Sequence, residues 1–108
     1  PAAFYVSPNG NEPVRDWLRE QNDADRRSIG KDIATAEFGW PVGMPVCRNL
    51  GKGLCEIRSN ISDGRIARVI FAAIDRRMVL LHGFVKKCQK TPKPDLDLAI
   101  MRFKEITR

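Results

Sequence analysis

Residues 54–85, LCEIRSNISDGRIARVIFAAIDRRMVLLHGFV, decide how this chain folds. Their apolar side chains recur with a period of two, against the 3.6 of a helix, in three runs: Leu54 to Asn60, Arg65 to Ile74 and Arg77 to Val85. Ser62-Asp63-Gly64 separates the first two runs and Asp75-Arg76 the second and third, both with turn chemistry. The expectation is three strands in an antiparallel meander. Strand parity then sorts the side chains. Ile57, Val69, Phe71, Val79 and Leu81 fall on one set and are assigned to the helix-covered side. The other set holds Lys52, Leu54, Glu56 and Arg58, then Ile66, Arg68 and Ile70, then Leu80, His82, Phe84 and Lys86. Ionisable groups thus recur on one face of all three strands, as they also would on an ordinary solvated sheet.

Upstream, Ala3 to Val6 reads as a short strand ending at the turn Ser7-Pro8-Asn9-Gly10. Asn11 is a candidate cap for a helix with Pro13 in its first turn, where Val14, Trp17 and Leu18 share a face. Asn22 or Asp23 offers a second cap, followed by an Ile29, Ile33 and Ala36 stripe that stops at Gly39. Two short antiparallel helices account for residues 12–38. Trp40 to Gly53, rich in Pro and Gly, reads as a loop. Downstream, Lys86 to Pro94 is a basic connector, and Asp95 caps a last helix carrying Leu96, Ala99, Ile100 and Phe103 on one stripe. The order is β-α-α-β-β-β-α, an α+β domain with helices on one face of a sheet.

At 108 residues, with 43% apolar and 30% charged side chains and no repeat, the chain is sized and composed as one globular domain. Its net charge of +6 is unevenly placed, −2 over residues 1–46 and +8 over residues 47–108. Such a distribution suits a polyanion, most often nucleic acid; a solubilising surface charge is the alternative. No apolar run, Met78 to Leu81 included, approaches the ~20 residues of a membrane span, and no secretory leader is visible. Three cysteines without a C-x-x-C pair, and one histidine, favour a reducing cytoplasm and a domain without metal or other cofactor.

GLCEIR (Gly53–Arg58), RIARVIF (Arg65–Phe71) and above all VLLHGFVKKCQKTPK (Val79–Lys93) resemble the HigB-like branch of the RelE/ParE toxin superfamily, which includes many phage-derived members. The resemblance spans residues 53–94; elsewhere element order carries it. It implies two N-terminal helices packed on a curved antiparallel sheet. It also implies the toxin of a type II toxin–antitoxin pair, a ribosome-dependent endoribonuclease that cuts messenger RNA by 2′-OH attack without a metal. Its partners would be the ribosome, the message and a cognate helix-turn-helix, HigA-like antitoxin. Two other readings use the same fold: a ParE-like inhibitor of DNA gyrase acting by protein contact, and a non-catalytic RNA-binding module.

Metal-free RNA cleavage must deprotonate the 2′-OH, offset the phosphorane's charge and protonate the leaving 5′-oxygen. Arg68 is the first candidate, because a mid-strand arginine can aim its planar fork at phosphate oxygens; a salt bridge to Glu56 is the alternative. Arg68→Ala is expected to spare the fold. Lys86, or Lys87 beside it, is a candidate acid. His82 and Glu56 are candidate bases, and Glu56 can equally pair with an arginine. Lys52, Arg58, Lys87, Lys90 and Lys93 are candidate RNA-backbone contacts, with Phe84 as a base-stacking platform. Several ribonucleases of the superfamily use a C-terminal tyrosine, whereas no tyrosine follows Tyr5 and Leu96 falls near that position.

Overall fold

The computed structural model describes residues 2–39, 47–86 and 90–107. Its elements run β1 (Ala2–Phe4), α1 (Pro13–Arg19), α2 (Asp23–Gly39), β2 (Cys47–Gly51), β3 (Leu54–Asn60), β4 (Ile66–Ile74), β5 (Arg77–Lys86) and α3 (Lys93–Ile106). The expected meander is β3-β4-β5, antiparallel throughout. Asp75 and Arg76 both take positive φ in the turn between β4 and β5, as a two-residue hairpin of primed type requires.

Three expectations about architecture are corrected. The order is β-α-α-β-β-β-β-α, because β2 forms inside the stretch read as a loop. Its sequence CRNLG lacks apolar alternation and is held by main-chain pairing to β3, which leaves no periodic signal. The sheet, ordered β1-β5-β4-β3-β2, is mixed, since β1 lies parallel to β5. And helices cover both faces. On one, Val14, Ile29, Ile33 and Ala36 of α1 and α2 pack on Ile57, Val69, Phe71, Met78 and Leu80. On the other, Ala99, Leu96, Ile100 and Phe103 of α3 pack on Leu54, Ile70, Ala72 and Leu81.

The parity of β5 changes partway along it. Ile70 pairs with His82 but Phe71 with Leu80, so Leu81 is the extra residue of a bulge. Val79 and Leu81 therefore join the α3 face, and Leu80 turns to α1 and α2, the reverse of simple alternation. The Leu81 carbonyl accepts from Arg102 Nη1 at 2.8 Å.

Local signals at the helix starts are met unevenly. Asn22 caps α2, its Oδ1 accepting from Asp25 N at 2.8 Å. Asn11 does not cap α1; its backbone closes a turn with Ser7 instead, and Glu12 precedes the helix without a side-chain cap. Asp95 is likewise no cap: Pro92 holds that place, and Asp95 sits in the first turn of α3.

One buried carboxylate ties α2 to the β3–β4 turn. Asp25 accepts from Ser62 N (3.0 Å), Ser62 Oγ (2.9 Å) and Arg65 Nη2 (2.9 Å). The bond from the Ser62 amide, above all, holds its pKa below the ordinary value of 3.8, against the opposing effect of burial. A depressed carboxylate contributes stability above its unfolded pKa and loses it as pH falls through the folded value. Urea unfolding is accordingly expected to show an acid limb below about pH 4 that shrinks in Asp25→Asn; an unchanged limb would assign it to other carboxylates.

Candidate active site

The cross-strand register assembles the site. Arg58, Arg68 and Phe84 lie directly opposite one another across β3, β4 and β5. In the row beside them stand Arg48, Glu56, Ile70 and His82, and on the other flank Asn60, Ile66 and Lys86. Arg68 and Lys86 thus share a sheet face. It is the α3 face, whose other half is the apolar floor under that helix.

These polar groups are not open to solvent. Arg68 and Glu56 are each 0% exposed, where parity alone suggested a strand-face arginine that could be removed without loss of fold. Residues 90–95 cross above them. Arg68 Nη1 donates to the Lys90 carbonyl at 3.0 Å. Glu56 accepts from Arg58 Nε at 2.8 Å and from Thr91 Oγ1 at 2.7 Å. The Glu56 salt bridge is therefore to Arg58. Phe84 is buried, with its ring stacked on His82 at 5.2 Å and the Arg68 guanidinium 6.0 Å from its centroid, so the expected base platform is occupied by protein.

His82 Nε2 lies 2.7 Å from Asp95 Oδ1. Burial, outweighing the Asp95 carboxylate, holds the histidine's pKa below its usual 6.5. Burial favours the uncharged ring, and in the tautomer that donates Nε2–H to the Asp95 carboxylate Nδ1 keeps a lone pair. A carboxylate that fixes the tautomer while the other nitrogen accepts a proton is the arrangement of a general base.

The remaining candidates lie at the rim of the site or away from it. Lys86 is exposed at the end of β5. Lys90 is exposed, and its backbone carbonyl reaches the cluster through Arg68. Lys93 starts α3 and pairs with Asp97 at 3.0 Å. Lys52 sits at φ 56° in the β2–β3 turn, at the opposite end of β3 from Arg58, and does not join the site. Lys87 lies outside the described residues. Three participants escaped sequence reasoning: Thr91, Asp95 and Arg48. Asp95 carried a cap signal instead, and the contact between residues 82 and 95 has no local periodicity to announce it. Among the described residues no three His, Cys, Asp or Glu side chains gather to hold a metal ion.

Residues 16–104 match the family model described as phage-derived protein Gp49-like (DUF891). The chain belongs to the Gp49-like family. That family lies within the RelE/HigB-like toxin superfamily, and its members are commonly toxins of toxin–antitoxin systems, which points to an antitoxin as partner. The match to the Gp49-like model includes every described residue of the site, from Arg48 to Asp95. No curated protein matches this Gp49-like chain. Among the described residues, no helix is long and apolar enough to cross a membrane.

Proposed function

We propose that this Gp49-like protein is a HigB-type toxin that cleaves messenger RNA on the ribosome, without a metal, by attack of the ribose 2′-OH. The observation that carries the proposal is the His82–Asp95 pair beside Arg68 on one sheet face. His82 Nδ1 accepts the 2′-OH proton, with Asp95 holding the ring as a positioning residue. Arg68 offsets the added charge of the phosphorane, and Lys86 gives a proton to the leaving 5′-oxygen. The products are a 2′,3′-cyclic phosphate and a 5′-hydroxyl. Glu56, with both oxygens engaged, orients Arg58 and leaves the base role to His82. Arg48, Arg58 and Lys90 add positive charge around the path of the RNA backbone.

A translation reaction with purified protein tests the proposal. Codon-phased cuts in ribosome-bound message, with cyclic-phosphate ends, are the expected result. Intact message together with inhibited DNA supercoiling would replace it by the gyrase reading. The pH profile tests the base separately. Because burial holds His82 below its usual 6.5, the single-turnover rate is expected to show an acid limb whose midpoint lies below 6.5. Unfolding stability should decline in that same acid range, since the unfolded chain then binds the proton more readily. Asp95→Asn removes a carboxylate that raises the histidine's pKa, so the limb should move to still lower pH. A limb unmoved by that substitution would remove His82 as the base.

A further inference from the structure

We propose that Lys90–Pro92 is a built-in pseudosubstrate strap, occupying the positions of a phosphate oxygen and a ribose hydroxyl until RNA displaces it. The assignment of those two positions rests on the endoribonuclease reading; the occlusion itself does not. Two adjacent residues of one segment engage the two most deeply buried polar heads of the site. The Lys90 carbonyl oxygen accepts from Arg68 Nη1, as a non-bridging phosphate oxygen would. The Thr91 hydroxyl donates to Glu56 Oε2, as a ribose hydroxyl would. Arg68 and Glu56 are both fully buried, so no phosphodiester reaches Arg68 while the strap is seated.

The strap is built to leave. None of Lys90, Thr91 or Pro92 belongs to either apolar cluster of the molecule. A cleft of about 560 Å³, lined by Lys90, Thr91, Pro92, Lys93 and Leu96, lies against it. Lifting it therefore exchanges polar contacts for equivalent ones from RNA without opening the core. The Asp25 cluster is the contrast: its carboxylate also gathers polar bonds under cover, but it joins α2 to the sheet.

Arginine modification of the full chain by phenylglyoxal, read residue by residue in the mass spectrometer, tests the strap without RNA. Arg68 is expected to react far more slowly than Arg58 in the wild-type protein. In Thr91→Val, which loses the bond to Glu56, Arg68 should react roughly tenfold faster, whereas Thr91→Ser should restore protection. Arg65, tied to Asp25, reports global loosening and should not change. A wild-type Arg68 rate in Thr91→Val, or a parallel rise at Arg65, overturns the proposal. Cleavage of ribosome-bound message is the second readout and should rise several-fold in Thr91→Val. An Arg68 rate that rises while neither protein cuts message would uphold the occlusion and reject the endoribonuclease reading.

Discussion

Arg68→Ala is expected to abolish growth inhibition and, in addition, to lower stability by about 2–4 kcal/mol. The second effect departs from what the sequence suggests for a residue on a charged strand face. Arg68 is fully buried, its Nη1 satisfies the Lys90 carbonyl, and its guanidinium covers Phe84. Truncation leaves a void under residues 90–91 and an acceptor without its donor. The functional loss should be about 10²–10³ in the cleavage step, the range found when one donor to a developing oxyanion is removed. Loss of toxicity in the Ala variant alone would confound the two effects, so Arg68→Lys is the companion. Lysine keeps the charge and most of the length but lacks the planar fork. It is expected to unfold in urea within about 1.5 kcal/mol of wild type and still to cut ribosome-bound message about 10²-fold more slowly. A folded Ala variant cutting at near-normal rate would take Arg68 out of the mechanism.

Gly83→Ala should be severely damaging for a single added methyl. A Cβ there would stand 2.4 Å from Trp17 Cε3, 2.6 Å from Cζ3 and 2.8 Å from Cδ2. Those distances are far inside van der Waals contact, and the obstacle is a rigid ring on α1. Either Trp17 leaves its place or α1 lifts from β5. Overpacking of this kind costs about 1–3 kcal/mol, and the depth of the clash places it at the upper end. Thermal melting should fall by on the order of 10 °C. Because Gly83 lies between His82 and Phe84, the displaced strand should also disturb the stacked pair and slow cleavage. Gly30→Ala is the control: within α2, with nothing within 4 Å of its Cβ, it should gain about 0.5–1 kcal/mol. Equal melting of Gly83→Ala and wild type would mean that Trp17 is not held against β5.

The partial legibility of the site follows from which contacts have a period. Glu56 and Arg58, Ile66, Arg68 and Ile70, and His82, Phe84 and Lys86 were placed on one face by alternation alone, and the register agrees. Alternation puts Leu80 on that face too, but it lies on the other, because the Leu81 bulge adds a residue between Leu80 and His82. Lys52 shared the parity but was carried off by a turn at positive φ, where parity no longer has meaning. Asp95 looked like a cap because its neighbours are right for one. Its carboxylate instead meets His82, a pairing created only when α3 docks.

Sequence by itself determined the antiparallel meander, the two N-terminal helices, the amphipathic stripe of the last helix and the shared face of Arg68 and Lys86. These depend on repeats of two or 3.6 residues and on turn chemistry, all of which act over a few neighbours. Only the tertiary structure decided that α3 would cover the opposite face from α1 and α2, that the edge strand β2 would pair, and that Lys90 and Thr91 would close over Arg68 and Glu56. β2 is held by its main-chain ladder to β3, and the other two outcomes come from burying the apolar stripe of α3 against Leu54, Ile70 and Ala72, a contact between segments distant in the chain. Docking that helix brings the residues just before it down onto the buried charges, and no local pattern encodes where they land.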